Sequence, residues 1–342
     1  MGFKHPFIGW VELSGFPKFT TTMIPFIMGS VLAWSEYQYP VPYINLPVLV
    51  CSLIAVFLLT DFCFVLNACS VYTDLKSKDK SKGKGKGLQF HVKTIGSGSA
   101  SSLHSTAVSG RFNALESGLI SVKQAVRGAY MCLVAAIPLS LILRYALHTG
   151  VLTLPLGVLG IIVAYSYSRG PRLSYIGWGE LALTVGVGWL TVFSGYYLQA
   201  GHVSWLPTIV ALPWMIDVFK LKLTRELPDF ECDASIGRRT LAVRLGKRKT
   251  IALYLPLTIC SWVSFIPLLW LNIPYYGLLF LILPALYTAK SLRVVLHKRD
   301  LKDEELNALT KNAFTGMILI PVALTGIFGM KILLNLMAYS YS

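Results

Sequence analysis

Charge is scarce in this chain. Only 14% of its 342 residues are Asp, Glu, Lys or Arg, and 54% are hydrophobic, whereas a typical soluble domain carries about 25% charged residues. Water is thereby excluded as the main solvent of its surface. The six cysteines, at 51, 63, 69, 132, 232 and 260, form no CxxC pair. A thiolate metal centre and a disulfide frame are both excluded, and the cysteines read as packing residues in a reducing setting. The six histidines are scattered without ligand spacing. MGFKHPFIGWVELSGFPKF has no uninterrupted apolar core before a small-residue site, so no cleavable signal peptide is expected. Gly2 lacks the Ser or Thr that myristoylation wants at position 6, where Pro6 stands.

What the chain does have is long apolar stretches, and mean hydropathy is +0.60. Nine could cross a bilayer, at about 19–37, 46–72, 121–147, 151–167, 178–199, 204–223, 250–271, 274–293 and 313–337. None alternates as a membrane strand would. Lipid offers no partner to open backbone groups, so helices remain. The expected fold is an all-α polytopic membrane protein, residues 1–342 forming one transmembrane domain. All but Arg144 and Lys331 of the 31 Lys and Arg fall on one face if the N-terminus is placed there. The loops near 38–45, 148–150, 200–203 and 272–273 carry none. This positive-inside pattern predicts a cytoplasmic (or matrix or stromal) N-terminus and explains the net charge of +15 without nucleic acid as a partner.

One segment, 76–110, is rich in Lys, Gly and Ser and reads as a flexible basic cytoplasmic loop. It follows LNACSVYTDLKSKD, and a second acidic stretch, RELPDFECD, follows the sixth apolar run. Asp74 and Asp229 thus each end an even-numbered stretch, as two four-helix halves plus a ninth helix would require. Asp229 and Asp233 are i, i+4 and share a helical face, where like charges repel unless a cation lies between them. Asn67, Ser70 and Asp74 share another, with Asp79 five residues on. Hard oxygen ligands in two such clusters suit Mg²⁺, which takes a few carboxylates and substrate phosphate oxygens. Asn67, Asp74, Asp79, Asp229 and Asp233 are therefore the candidate metal ligands. Asp61 and Glu180 lie in or near apolar spans, where ionisable groups are rare.

PDFECDASIGRRTLAVRLGKRK, 228–249, resembles the second aspartate-rich motif of the UbiA superfamily of intramembrane prenyltransferases. That pattern is DxxxD, a glycine, a basic residue and TLxVRLG, met here by Asp229, Asp233, Gly237 and Thr240–Gly246. YSRGPRLSYIGWGELALTVGVGWLTVFSGYYLQAG, 167–201, and ESGLISVKQAVRGA, 116–129, resemble the menaquinone-pathway branch, which joins 1,4-dihydroxy-2-naphthoate to a polyprenyl chain. The first motif departs from the family's NxxNDxxD. Asn67 and Asp74 remain, but Ser70 and Val71 replace the middle Asn-Asp pair. Phe16 stands where an arginine often precedes Pro17 and Lys18, and Asn113 where the branch has an arginine, with Arg111 two residues earlier.

The resemblance implies Mg²⁺-assisted ionisation of an isoprenyl diphosphate and attack by an aromatic small molecule, with the lipid tail lying among the helices. Asp74, Asp229, Asp233 and Glu180 would be catalytic, Glu180 matching a family glutamate. Asn67, Ser70, Lys18, Lys76, Lys222, Arg225 and Arg239 are candidates for binding substrate. Tyr72, Tyr167, Tyr175 and Trp178 could face the allylic cation with their rings. The eroded first motif keeps a second outcome open, a membrane terpene cyclase whose own double bond is the nucleophile, with Val71 lining its pocket. A transporter would want its acids near the midplane, whereas these sit at the edge.

Overall fold

The computed structural model describes residues 6–15, 19–36, 44–81, 113–271, 273–297, 301 and 303–340. Phe16, Pro17, Lys18, Arg111 and residues 82–110 of the basic segment lie outside them, as do the side chains of Asp79 and Asn113. All regular structure among the described residues is helical. In chain order the helices are α1 (Pro6–Ser14), α2 (Thr20–Glu36), α3 (Leu46–Ser81), α4 (Asn113–Glu116), α5 (Val122–Leu141), α6 (Thr153–Ser168), α7 (Gly179–Leu183) and α8 (Thr191–Ala200). There follow α9 (Leu206–Glu226), α10 (Phe230–Ser235), α11 (Leu241–Leu245), α12 (Lys247–Ala252), α13 (Tyr254–Val263), α14 (Ile282–His297) and α15 (Asp303–Ser340). A π-helical turn, Thr184–Leu190, welds α7 to α8, and 3₁₀ turns at Ile266–Trp270 and Tyr275–Leu281 follow α13 and precede α14.

Helix ends follow local chemistry. Ser121 and Gln124 form a reciprocal capping box that starts α5, the Gln124 side chain taking the Ser121 N–H at 3.0 Å. A proline in the first turn opens α9, where a missing N–H does no harm.

Six helical segments among the described residues are long and apolar enough to span: 46–77, 122–146, 179–200, 247–270, 275–297 and 304–338. The other three expected spans do form helices, but they miss that standard for separate reasons. α2 has 17 residues, α6 has 16, and α9 carries Asp217, Lys220, Lys222, Arg225 and Glu226 in its 21. The polar load on α9 is the most instructive of these, because this helix holds Asp217, Lys220 and Glu226 buried inside the bundle.

Two apolar clusters hold the bundle. One gathers Met28, Tyr196, Trp214 and Phe328 from α2, α8, α9 and α15, and the other gathers Leu13, Phe62, Leu66 and Ala125 from α1, α3 and α5. Between α2 and α8 the backbones nearly touch. A Cβ on Gly29 would collide with the Val192 carbonyl oxygen, and one on Gly195 with that of Phe26. Ser30 donates to the Gly195 and Phe26 carbonyls at 3.1 Å each, bridging the same seam. Small residues allow this approach, and membrane helices rely on it because lipid supplies no hydrophobic drive. Gly195→Ala should therefore cost about 1–3 kcal/mol by overpacking against rigid backbone. Denaturation of the detergent-solubilised protein measures this, and an unchanged midpoint would refute the contact.

Candidate active site

Asp74 stands near the end of α3, past its apolar stretch. Its Oδ2 accepts a hydrogen bond from the Tyr175 hydroxyl at 2.5 Å and an ion pair from Arg172 Nη2. Both partners come from the short connection between α6 and α7. That connection turns at Gly170 (φ 57°) and again at Arg172 itself (φ 51°), a left-handed conformation that a side chain makes unfavourable. The Arg172 guanidinium lies 3.7 Å from the centroid of the Tyr175 ring. Burial first, and then the hydrogen bond to Asp74, raise the Tyr175 phenol above its ordinary pKa, so it stays a donor.

The second acidic stretch approaches from the other half. Asp229 precedes α10 and takes the Asp233 N–H on its carbonyl at 2.8 Å, so the two acids do occupy one helical turn. Gly237 (φ 77°) then reverses the chain and returns Arg238 onto Asp233. Arg238 Nη1 meets Asp233 Oδ1 at 2.8 Å, and Nη2 reaches the Ser174 carbonyl at 3.4 Å. Its guanidinium is 5.2 Å from the same Tyr175 ring. Burial pulls the Arg238 pKa down, but the charges of Asp233, Glu226 and the nearby tyrosines together outweigh it and the net shift is upward. Tyr175 is thus the hinge of the site. Asp74 of the first half and Asp233 of the second are joined through it and its two arginines.

Below this layer Glu180, at the start of α7, accepts the Leu241 N–H at 3.0 Å on Oε1, while its Oε2 is buried without a hydrogen-bond partner, as is Oε2 of the buried Glu226. Glu226 pairs with Lys222 at 2.5 Å, and Tyr167 lies in the field of that lysine. Tyr167 also closes the near end of an apolar cavity of about 350 Å³, lined by residues such as Leu59, Phe64, Leu183 and Leu190, which continues to Thr153. Since Thr153 and Tyr167 are the two ends of α6, the cavity follows roughly 20 Å of helix at 1.5 Å per residue. The π-helical turn contributes Gly186 and Val187 to its wall, and such turns often occur at functional sites.

The structure brings together Asp74, Tyr175, Asp233, Glu180, Lys222 and Tyr167 from the expected set. Asp229 adjoins them through α10. Asn67 and Ser70 are buried on α3. Lys76 is exposed and lies 5.7 Å from the Tyr72 ring. Arg239 is exposed too, and only its backbone N–H reaches the connection, to Tyr175 O at 2.8 Å. Arg225 is half-buried in the last turn of α9, and Trp178 is exposed. Asp61 is buried in α3, taking the Cys132 thiol at 3.5 Å, outside this layer. Val71 is packed in the apolar cluster with Leu13 and Ala114 and does not line this cavity, where the cyclase alternative would have it line the pocket. Sequence reasoning missed Arg172, Arg238 and Glu226 as site members. The GRRT turn could have pointed to Arg238, because a glycine reversal sends the next side chain back toward the acid it follows.

The oxygens on hand suit Mg²⁺. Asp233 Oδ2, Asn67 Oδ1 and Ser70 Oγ are buried without a hydrogen-bond partner, and a hard cation that keeps waters and substrate oxygens needs only one or two carboxylates. No three acids, histidines or cysteines converge into one metal-binding group among the described residues. The fit is therefore good at Asp233. It is poor at Asp74, whose Oδ2 already holds Arg172 and Tyr175.

Over 99 residues the chain is 27% identical to 1,4-dihydroxy-2-naphthoate octaprenyltransferase of Bacillus subtilis, spanning 29% of this chain and 32% of that protein. Over 95 residues it is 35% identical to the Escherichia coli protein of the same name, spanning 27% and 30%. The chain thus matches about a third of the length of these curated relatives. Among solved structures, a UbiA homolog from Archaeoglobus fulgidus bound to GPP and Mg²⁺ superposes with a TM-score of 0.56 at 13% identity, covering 97% of this chain and 98% of that one. That likeness shows the fold. The model of the UbiA prenyltransferase family matches residues 110–330, which include the Tyr175 hinge, Glu180 and the whole second acidic stretch, and the chain belongs to that family.

Proposed function

We propose that this protein transfers a polyprenyl group from an allylic diphosphate to an aromatic acceptor of the 1,4-dihydroxy-2-naphthoate type, within the membrane. One observation carries the reading. A charged layer linking Asp74 to Asp233 through Tyr175 lies directly over an apolar cavity that starts at Tyr167. A substrate with a diphosphate head and a hydrocarbon tail needs that juxtaposition. The names of the naphthoate-prenylating relatives support the aromatic acceptor.

Mg²⁺ held by Asp229 and Asp233 would supply positive charge to the departing diphosphate. Asp74 holds Arg172 and Tyr175 in place facing the same group. As the allylic C–O bond breaks, the Tyr167 ring, at the mouth of the cavity, offers a π face to the developing cation. The apolar walls exclude the water that would otherwise trap it. A ring carbon of the acceptor then bonds to the allylic carbon, and its proton passes to a base, for which the buried carboxyls of Glu180 and Glu226 are candidates. The charge pattern of the loops supports a mouth on the cytoplasmic (or matrix or stromal) face.

The purified protein, given labelled geranylgeranyl diphosphate and Mg²⁺ with and without dihydroxynaphthoate, tests this. A prenylated naphthoate product that needs the acceptor is expected. A cyclic hydrocarbon formed equally well without the acceptor would establish the cyclase instead.

A further inference from the structure

We infer that Glu36, Tyr196 and His202 form a proton-dependent latch that holds the end of the bundle opposite the charged layer, beneath the deep end of the apolar cavity. The latch does not rest on the proposed function. Asn45, at this end, precedes α3, and Asp74 stands near the end of that helix, roughly 40 Å away at about 1.5 Å per residue.

One turn of α8 gathers the hydrogen bonds here. Tyr197 Oη accepts the Leu152 N–H at 3.0 Å and so holds the start of α6. Gln199 accepts from Trp34 Nε1 of α2 at 3.0 Å and donates to the Asn45 carbonyl at 3.3 Å. Gly201 (φ 73°) closes the helix, its N–H on the Tyr197 carbonyl at 2.8 Å. That left-handed turn brings the His202 ring back against the Tyr196 ring, edge to face at 5.8 Å. Ser194 and Leu198 of the same helix line the cavity.

The contacts at Tyr196 need one proton more than an ionised Glu36, a phenol and a neutral imidazole carry. The hydroxyl of the buried Tyr196 donates to Glu36 Oε2 and lies 3.2 Å from His202 Nε2. Those two contacts require two protons. His202 Nδ1 lies 3.1 Å from the Ala200 carbonyl, which only accepts, so it requires a third. The three groups supply two between them. The third makes His202 an imidazolium, or sits on Glu36 while the phenol donates to Nε2, and the count is the same either way. Without it one contact of His202 fails, whichever tautomer the ring adopts. Glu36 and His202 are both exposed, so water delivers and removes this proton. Folding takes up a proton here. The latch is therefore closed below the ordinary histidine range, about pH 6.5, and opens as pH rises through it.

Other titratable groups toward this end are Tyr197, Arg144 over the Tyr145 ring at 5.6 Å, Lys331, which donates to the Leu271 carbonyl at 3.2 Å, and His148 in the turn between α5 and α6. The first turns of α3 and α9 carry no charged residue.

Thermal unfolding of the full-length protein in detergent, at about pH 5.5 and about pH 8, tests the latch. Because His202 is exposed, His202→Gln should fold as the wild type does. Between the two pH values the wild-type midpoint should fall about 2–4 °C further than that of His202→Gln, the scale of one hydrogen bond to a charged group. His148→Gln should keep the wild-type difference. Hydrogen exchange, corrected for intrinsic rates, locates the effect. Amides 197–201 should lose protection at the higher pH in the wild type and be equally protected at both in His202→Gln. A midpoint difference that survives in His202→Gln, its loss in His148→Gln, or pH-independent exchange at the end of α8 in the wild type overturns the latch.

Discussion

Asp233→Asn should lower prenyl transfer on the order of a hundredfold or more, the scale seen when one charge-stabilising group is removed from a preorganised site. The expectation follows from two features at one carboxylate. Asp233 Oδ1 anchors Arg238 at 2.8 Å, and Oδ2 is buried without a partner, open to a cation. Asparagine can still accept from Arg238, so the variant should fold, but it loses the charge that either cation needs. Asp229→Asn should act in the same direction. Turnover assayed at limiting Mg²⁺ provides the check, and activity equal to wild type in either variant would remove the second motif from the mechanism.

The second large effect is on stability. Lys222 Nζ lies 2.5 Å from Glu226 Oε1, with the lysine side chain 15% and the glutamate 4% exposed. Glu180 is buried as well and feels the charge of the same lysine. Lys222→Met would leave two buried carboxyls facing each other without their cation, and breaking a buried pair from one side typically costs about 3–5 kcal/mol. Adding Glu226→Leu removes the stranded charge and should recover most of that loss, since apolar replacement of a whole pair is often neutral. Unfolding midpoints of the single and double variants decide it. A single variant as stable as wild type, or a double variant worse than the single, would contradict the arrangement.

How much of this was legible beforehand depended on whether a signal was local. The i, i+4 spacing of Asp229 and Asp233 is a property of one helical turn, and the structure has that turn. The apolar stretches announced nine helices in hydropathy alone. The polar face of α9 is instead fixed by tertiary neighbours, because Lys220 lies 2.7 Å from Asp217 and 3.3 Å from Thr258 of α13. Sequence pattern records that such residues exist but not that they are buried. Sequence pattern named Arg239 and passed over Arg238 for a related reason. Adjacent residues point different ways, and only the positive φ of Gly237 decides which one faces Asp233. Arg172 had no periodic pattern to betray it, since its aim comes from its own left-handed backbone. Val71 read as a lost ligand position or a pocket wall, whereas packing from α1 and α4, distant in sequence or short, makes it core.

The account's central claim is that the charged layer joining the two acidic stretches holds the diphosphate of a prenyl donor whose tail lies in the apolar cavity. The most direct measurement is a crystal structure of the protein with Mn²⁺ and geranyl thiodiphosphate, an unreactive substrate analogue, with manganese located by anomalous scattering. The expected map has manganese beside Asp229 and Asp233, the diphosphate next to it at the Tyr175 layer, and the prenyl tail in the cavity that begins at Tyr167. A diphosphate bound away from Tyr175, or a prenyl tail outside the cavity, would contradict the account.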